Sequence, residues 1–318
     1  MKWEKIGKIF DPSEHGLINN CYEYAQSPQA LVFSDFVRVY FSTRARDHVG
    51  KYLSHIAYVD FTKDFKRIIG VSKKEVIPLG KIGCFDEHGI FPMNVLWVGD
   101  KVFAYTSGIS RRKSVSVETS IGMAISEDKG ETFKKLGDGP VLSASSEEPF
   151  LVGDPFVQHS GKKFHMWYIY GVSWKVSCVS DEPERVYKIG HAVSFGDGIV
   201  WQKEGKQIVP DKFKDECQAL PTVVDIDCTS HMLFCYRHAT DFRKNHVRGY
   251  HIGYAYSTDK LNWIRDDSQA GIVGSLGQWD SDMQCYPHLF KCDKKVYLLY
   301  NGNEFGHFGF GLAILKNC

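Results

Sequence analysis

FPMNVLWVGDKVFAYTSGIS, residues 91–110, contains the unit from which the chain is built. A short apolar strand carries a proline near its start, a Gly-Asp turn reverses the chain, and a second apolar strand ends in small polar residues. A third apolar segment, IGMAIS (121–126), follows and has small residues at its centre. Short apolar runs bounded by turn residues predict β-strands, here three in succession.

The same unit recurs along the whole chain. Its prolines are Pro28, Pro92, Pro155, Pro221 and Pro287, separated by 64, 63, 66 and 66 residues. In the middle units an aromatic residue near a fourth strand completes the repeat, namely Phe133, Trp201 and Trp263. A fixed period of four short β segments is typical of a propeller blade. A β-sandwich would fit the strand content but not five matched units. We therefore predict an all-β, five-bladed β-propeller forming a single domain over residues 1–318.

The N-terminal and C-terminal segments together contain the four strand segments of one blade. The fifth unit stops after its third strand, FGLAIL (310–315), while KWEKIGKIF (2–10) resembles the fourth segment of another blade, WQKEGKQIV (201–209). We therefore predict that the N-terminus supplies the outermost strand of the last blade. This closure would remove an exposed sheet edge, which otherwise invites aggregation.

Composition limits the classes of function. With 39 Lys and Arg against 38 Asp and Glu, the net charge of +1 gives no argument for nucleic acid or an anionic membrane. No apolar run approaches the roughly 20 residues that span a bilayer, and the start MKWEKIGKIF lacks the apolar stretch of a signal peptide. Nine cysteines show no C-x-x-C pair and 13 histidines no metal-ligand spacing. We expect a reduced, soluble, cytoplasmic protein without metal or cofactor.

Functional residues are expected around the five prolines, because the first strand of every propeller blade lines the central channel. Directly before the prolines stand Ser27, Phe91, Asp154, Leu220 and Tyr286. Five residues before the prolines stand Glu23, Glu87, Phe150, Glu216 and Asp282. Residues four apart share a face in a strictly alternating strand, so both sets are predicted to point inward unless a bulge intervenes.

Several carboxylates around one cavity would suit cleavage of a glycosidic bond. One acid protonates the leaving oxygen, and another attacks the sugar or activates water. Crowding also separates the pKa values of neighbouring carboxyls, which lets one of them stay protonated near neutral pH. The alternative is that these acids cap strand ends or pair with arginines.

Two short motifs resemble a known group of enzymes. VGDPFV (152–157) and DECQALP (215–221), set in a five-blade repeat, resemble the invertase, levansucrase and arabinanase glycoside hydrolases of families 32, 68 and 43. The mannoside phosphorylases of family 130 share that architecture. The resemblance implies that Asp154 matches the transition-state stabiliser of an Arg-Asp-Pro motif, with Gly153 in place of the arginine. It also implies that Glu216, in a Glu-Cys motif with Cys217, is the acid/base.

One position departs from that pattern. The first blade of the family presents an aspartate directly before its proline, as nucleophile or base, whereas this chain has Ser27 there. A serine cannot act as a carboxylate nucleophile without another base to activate it. Either another acid replaces the aspartate or simple hydrolysis has been lost. The candidate replacements are Asp282, Asp86, Glu87 and Glu23.

Other residues are candidates for binding sugar. Arg44 and Arg237 follow the second strands of the first and fourth blades, while Asn301 and Asn303 occupy the corresponding turn of the fifth. Two arginines at one rim would suit a carboxylated or phosphorylated sugar, because guanidinium groups pair bidentately with such anions. The alternative is that they pair with the inner acids. Trp279 and Tyr286 are candidate stacking platforms for sugar rings.

Two functions remain open, and a third, a protein-interaction propeller, is weaker because it gives no reason for acids that point inward. The first is an enzyme acting on a glycosidic bond, as a hydrolase or as a transferase or phosphorylase relative. It would use Glu216 as general acid, Asp154 as its partner, and Asp282 or Asp86 as base for a direct displacement. The second is a non-catalytic glycan-binding propeller. FDEHGIFPMNVLWV (85–98) and WDSDMQCYPHLF (279–290) resemble a branch of the superfamily from bacterial surface-polysaccharide gene clusters, which implies a role in polysaccharide biosynthesis. The expected partner is a sugar or oligosaccharide.

Overall fold

The computed structural model describes residues 1–176 and 182–316, which form five four-stranded antiparallel sheets. The N-terminal strand is β1 (Trp3–Phe10). Blade 1 contains β2 (Glu23–Val32), β3 (Phe36–Arg46), β4 (Tyr52–Thr62) and β5 (Ile68–Val71). Blade 2 contains β6 (Ile90–Val98), β7 (Lys101–Arg111), β8 (Val117–Ser126) and β9 (Lys134–Lys135).

The remaining blades repeat this arrangement. Blade 3 contains β10 (Val152–Ser160), β11 (Lys163–Lys175), β12 (Glu184–Phe195) and β13 (Gln202–Lys203). Blade 4 contains β14 (Glu216–Ile226), β15 (Thr229–His238), β16 (His251–Ser257) and β17 (Ile264–Arg265). Blade 5 contains β18 (Cys285–Cys292), β19 (Lys295–Asn301) and β20 (Phe310–Leu315). Helical structure in the described chain consists of single turns, such as α1 (Asn303–Gly306) and the 3₁₀ turn His246–Arg248.

The blades form a closed ring. The first strands β2, β6, β10, β14 and β18 contact one another in that order, and β18 contacts β2. Buried hydrogen bonds join neighbouring blades. The Tyr40 hydroxyl donates to Gly130 O at 2.7 Å, and the Tyr105 hydroxyl donates to Gly198 O at 2.9 Å. The predicted all-β, five-bladed propeller is therefore confirmed.

The N-terminal strand closes the ring, as the sequence predicts. β1 pairs antiparallel with β20 on the outer side of blade 5, from Trp3 opposite Leu315 to Phe10 opposite Phe310. Phe10 is buried, and its ring centroid lies 5.3 Å from that of Phe310. The two ends of the chain thus share one sheet and one core.

Every first strand contains a β-bulge at its proline. The strand register shifts at Ser27, Phe91, Asp154, Leu220 and Tyr286, the five residues that precede the prolines. Four of them have positive φ angles between 47° and 56°, while Phe91 precedes Pro92 through a cis peptide bond. Because proline cannot donate a ladder hydrogen bond, an interior strand accommodates it at a bulge. Each bulge therefore changes the direction of the side chain that precedes its proline.

Buried ion pairs join the start of a blade to its outermost strand in blades 2 to 5. Each acid precedes the first strand, or in blade 4 begins it, and each base lies on the fourth. These outer-strand ion pairs are Asp86–Lys135, Glu148–Lys203, Glu216–Arg265 and Asp280–Lys5. The four acids are at most 1% exposed. Each of these ion pairs therefore connects the start of a blade to the outermost strand of the same blade.

The glycine-rich C-terminal hairpin accommodates a tryptophan. A Cβ atom at Gly302 or Gly311 would overlap the Trp279 indole, which lies 5.1 Å from the Tyr300 ring between centroids. In blade 2, Phe85 covers Gly108 and Gly122 in the same way. Trp279 therefore packs on its own blade, which differs from its predicted role as a sugar-stacking platform.

No helix within residues 1–176 and 182–316 has the length and hydropathy needed to span a membrane.

Candidate functional site

Two adjoining cavities open at one end of the ring. The first, called the Asp154 cavity, has a volume of about 280 Å³ and is lined by residues from all five blades. The second, called the arginine cavity, has a volume of about 320 Å³. Both are lined by Arg44, Arg185, Tyr250 and Tyr286. A sugar in the first cavity could therefore extend into the second.

Asp154 is the carboxylate of this site. Its side chain, positioned by the bulge of β10, is 7% exposed and lines the first cavity. Burial raises the pKa of Asp154 to about 7, although the Leu220 N–H donates to Oδ2 at 3.3 Å and Arg185 lies nearby. Among the described residues that line the two cavities, it is the one carboxylate. A carboxyl that titrates near neutral pH is suited to general acid–base catalysis.

Five arginines line the two cavities. Arg111 is paired with Asp47 at 2.6 Å, and Arg243 is paired with Glu184. Arg44, Arg185 and Arg237 have no carboxylate partner in the part of the chain that the structure describes. The described lining of the two cavities therefore holds three arginines without a carboxylate partner and one carboxyl, so it is predominantly positive.

Tyrosines form much of the wall between the cavities. The hydroxyls of Tyr187 and Tyr250 lie 2.6 Å apart, and the Tyr250 and Tyr286 ring centroids are 5.5 Å apart. Burial raises the pKa of Tyr187, Tyr250 and Tyr286. These hydroxyls consequently keep their protons at neutral pH and can serve as hydrogen-bond donors beside aromatic faces, a combination suited to a sugar ring.

Glu216, the predicted general acid, lies outside both cavities. Its carboxylate accepts hydrogen bonds from Arg265 Nη1 at 2.7 Å, Gln218 Nε2 at 3.1 Å and the Lys212 N–H at 2.8 Å, and the residue is 0% exposed. It therefore belongs to an outer-strand ion pair. The acid/base role implied by the family resemblance is not supported by this geometry.

The bulge explains why Glu216 does not line the cavity beside Leu220. Glu216 and Leu220 are four residues apart and would share a face in a regular strand, but the register shift at Leu220 breaks the alternation. Leu220 and Ala219 line the first cavity, whereas Glu216 bonds to Gln218 away from it. Cys217 is buried in a hydrophobic cluster, with its thiol donating to Arg185 O at 3.3 Å.

The other two predicted catalytic acids, Asp86 and Asp282, also lie outside both cavities. Asp86 is 1% exposed and paired with Lys135, so it is the equivalent of Glu216 in blade 2. Asp282 is exposed in the loop before β18, where its backbone N–H donates to Asn303 Oδ1 at 2.9 Å. Neither residue lines the cavities, so neither can take the place of an absent base there.

The predicted sugar-binding residues divide into two groups. Arg44, Arg237 and Tyr286 line the cavities, and their role in binding sugar stays a prediction. The others lie outside them and make local contacts: Ser27 donates its N–H to Asn301 Oδ1, Asn303 bonds to the loop before β18, Glu23 accepts from the Tyr52 hydroxyl, and Glu87 accepts from the Gly83 N–H. Trp279 packs on blade 5, as described above.

Arg111 and Arg185 are the main residues that sequence reasoning missed. Arg111 ends β7, where Ser107, Ile109 and Arg111 line the cavity at every second position. Arg185 and Tyr187 alternate in the same way at the start of β12. The alternation of side chains along each strand continues to the strand ends and could have identified both arginines. Using it required knowing which end of each strand lies at the cavity.

The raised pKa of Asp154 predicts a pH-dependent stability difference. Between pH 4 and 7 the unfolded chain ionises Asp154 while the folded chain keeps its proton, so this residue costs stability as pH rises, and the full cost persists above about pH 7. Asp154→Asn keeps the neutral form. It should match wild type near pH 4 and exceed it at pH 8 by up to about 4 kcal/mol. Urea unfolding at both pH values measures this, and equal stability at pH 8 would contradict the assigned burial.

A structural role for Glu216 predicts a loss of stability on substitution. Glu216→Gln removes the carboxylate that lies 2.7 Å from the buried Arg265 guanidinium. Arg265 keeps its pair with Asp267, so the loss should be about 1.5–3 kcal/mol, as for a hydrogen bond to a charged group. Asp267→Asn is the matched control, because Asp267 contacts the same guanidinium at 3.0 Å but is 15% exposed, so the cost should be smaller. Chemical denaturation compares the two. A Glu216→Gln protein with wild-type stability and no activity would contradict the structural role and support a catalytic role for Glu216.

Among residues 1–176 and 182–316, no group of three or more His, Cys, Asp or Glu side chains is arranged to hold a metal ion.

Solved structures with the same fold include proteins named as carbohydrate-active enzymes. A structure named "Glycoside hydrolase" has a TM-score of 0.74 at 15% identity, covering 99% of this chain and 92% of that one. "Crystal structure of a thermostable family-43 glycoside hydrolase" has a TM-score of 0.64 at 12% identity, covering 92% and 89%. "Beta-1,2-Mannobiose phosphorylase from Listeria innocua - beta-1,2-mannobiose complex" has a TM-score of 0.63 at 12% identity, covering 99% and 96%. At these identities the likeness shows the shared propeller fold.

Sequence comparison gives closer relatives, although no family model matches the chain. Two curated proteins of Mycobacterium tuberculosis, "Uncharacterized protein Rv1502" (strain ATCC 25618 / H37Rv) and "Uncharacterized protein MT1551" (strain CDC 1551 / Oshkosh), are each 30% identical over 325 aligned residues, which cover 100% of both chains. Similarity of this extent includes all five blades. The chain therefore belongs to the same protein family as these two mycobacterial proteins.

Proposed function

We propose that this chain is a carbohydrate-active enzyme that cleaves a glycosidic bond, with Asp154 as its general acid. The observation that carries the proposal is one buried carboxyl, with its pKa raised to about 7, at the wall of a polar cavity in the ring. Glycoside hydrolases and a phosphorylase among the proteins of the same fold support the choice of reaction class.

A direct displacement suits a site with one carboxyl. The bond between the anomeric carbon and the leaving oxygen breaks, Asp154 donates its proton to that oxygen, and an acceptor oxygen forms the new bond from the opposite face. The Asp154 carboxylate then recovers a proton from solvent. A water or hydroxyl acceptor releases its own proton to solvent, whereas a phosphate oxyanion forms the bond without losing one. Two-step retention requires a second carboxylate as nucleophile, for which the cavity walls provide no candidate among the described residues. Water, phosphate or another sugar hydroxyl could be the acceptor.

The ligand of this enzyme would be an anionic sugar or oligosaccharide, since arginines that have no carboxylate partner among the described residues favour negative charge. The resemblance of its sequence to proteins of surface-polysaccharide gene clusters favours a role in bacterial polysaccharide biosynthesis in the cytoplasm.

A non-catalytic glycan-binding propeller is the second candidate. It is favoured by Ser27, which replaces the first-blade aspartate of the resembling families and lies buried outside the cavities. Such a protein would keep the binding walls without the second catalytic group.

A screen of aryl glycosides and glycosyl phosphates, each with and without inorganic phosphate, separates the two candidates. The enzyme is expected to release product in at least one reaction and to lose this activity in Asp154→Asn. Binding of a sugar without turnover by the wild-type protein would favour the second candidate instead.

A further inference from the structure

The arginine cavity is built from cationic groups of three blades. Arg44 lies near the end of β3, Arg185 near the start of β12 and Arg237 near the end of β15. All three side chains line the same cavity of about 320 Å³. These residues are far apart in sequence and converge because the ring closes.

The side chains of Arg44 and Arg237 are held in place by aromatic rings and carbonyl oxygens. The Arg237 guanidinium carbon lies 3.6 Å from the Phe242 ring centroid, and Nη1 donates to the His238 carbonyl oxygen at 2.7 Å. The Arg44 guanidinium carbon lies 4.4 Å from the Tyr24 centroid and 5.2 Å from that of Tyr52. Aromatic stacking orients a guanidinium but leaves its edge free for hydrogen bonds to an anion.

Both residues have a buried donor without a partner. The Nε atoms of Arg44 and Arg237 make no hydrogen bond to any described residue, and Arg237 is only 2% exposed. A buried unsatisfied donor costs free energy, more so when it is charged. A ligand oxyanion would satisfy these donors, since the guanidinium fork matches carboxylate and phosphoryl oxygens.

The balance of charge favours a doubly charged group. Arg44, Arg185 and Arg237 line the arginine cavity, and no carboxylate among the described residues lines it. The nearby carboxylates are already engaged: Glu184 with Arg243, Asp47 with Arg111, and Glu23 with the Tyr52 hydroxyl. A carboxylate would neutralise one positive charge, whereas a phosphoryl group carries about −1.5 to −2 at pH 7.

The walls indicate that the anion is attached to a sugar. Tyr24, Phe242, Tyr250, Tyr286 and Phe305 present aromatic surface around the arginines, and the cavity continues into the one that contains Asp154. A free phosphate ion would use none of this surface. We propose that Arg44, Arg185 and Arg237 form an oxyanion subsite that binds a phosphoryl group carried by the sugar ligand.

This inference deepens the proposed function by naming its substrate class, a phosphorylated sugar, with the reacting bond beside Asp154 and the phosphoryl group in the arginine cavity. Its test measures binding, so that it does not depend on turnover.

Isothermal titration with a panel of hexose 1- and 6-phosphates, the neutral hexoses, glucuronate and inorganic phosphate tests the subsite. At least one sugar phosphate should bind tenfold or more tightly than its neutral sugar, glucuronate and inorganic phosphate. Arg44→Gln should weaken that binding by about 10- to 100-fold, the range expected for hydrogen bonds to a charged group. Arg67→Gln, an exposed arginine of the same blade outside both cavities, is the matched control and should bind as wild type does.

The outcomes separate this inference from the proposed function. Tight inorganic phosphate binding, equal to that of every sugar phosphate, overturns it in favour of a free-phosphate site, and preference for glucuronate overturns it in favour of a carboxylate. Binding unaffected by Arg44→Gln also overturns it. Arg44-dependent binding that persists in Asp154→Asn, in a protein without turnover, supports the subsite and refutes the enzyme proposal alone.

Discussion

Replacing Asp154 by asparagine should lower kcat for substrates with poor leaving groups by about 10²- to 10⁴-fold, the usual contribution of a positioned general acid. Asparagine is nearly the same size as aspartate, so the cavity should keep its shape while losing the transferable proton. Activated aryl glycosides, whose leaving groups need little protonation, should be affected much less. Initial rates across aryl leaving groups of different pKa measure the difference.

The pH profile of the wild-type enzyme provides an independent check. With a pKa of about 7 for Asp154, activity that needs the protonated acid should decline as pH rises through that value. This limb should disappear in Asp154→Asn. Asp282→Asn serves as the matched control, since it makes the same chemical change in an exposed loop outside both cavities. A larger loss of activity in Asp282→Asn than in Asp154→Asn would refute the assignment of the acid.

The fold could be predicted because its signals are local and periodic. Each blade repeats an x-Pro step, three apolar strands and a small residue at the centre of the third, and five copies account for the strands observed. Ring closure by β1 was predictable from its likeness to a fourth strand together with the incomplete fifth unit. Both arguments use only alternation, spacing and the cost of an open edge.

The candidate site was less predictable because loop lengths and bulges change which face a residue occupies. Counting five residues back from each proline placed Glu216 and Asp282 in one set. In the structure Glu216 belongs to a buried ion pair, whereas Asp282 lies in an exposed loop. The structurally equivalent acids, which form the outer-strand ion pairs, stand at unequal distances from the prolines. Asp154 could be placed at the cavity because it lies in the bulge itself. Its position therefore did not have to be inferred by counting residues across the register shift.

The arginines illustrate a second limit. Arg44 and Arg237 were recognisable because they lie at equivalent places near the ends of second strands, whereas Arg185 lies near the start of a third strand. That they line one cavity depends on the curvature of the ring. The repeat period and the residue spacing in the sequence do not describe this curvature. Chemistry that is shared among blades is therefore visible only when the ring is assembled.

Deleting residues 1–10 should prevent stable folding. The deletion removes β1, exposes the edge of β20 and leaves the 0% exposed Asp280 without Lys5, whose ammonium lies 2.5 Å from its carboxylate. An unpaired buried charge costs about 3–5 kcal/mol, and losing the buried Phe10 side chain adds about 1.5–3 kcal/mol. Together these losses are comparable to the whole stability of an ordinary domain, about 5–15 kcal/mol.

The truncated chain should therefore aggregate, because an open strand edge pairs readily with other chains. Soluble yield, size-exclusion chromatography and thermal melting measure the effect. Lys5→Met is the partial control: it removes the buried pair but keeps the strand, so it should melt at a lower temperature than wild type and elute at the wild-type volume. A synthetic peptide of residues 1–11, added during refolding of the truncated chain, should restore soluble monomer by supplying β1 in trans. A truncated protein that is monomeric and melts at the wild-type temperature would show that ring closure by β1 contributes little to stability.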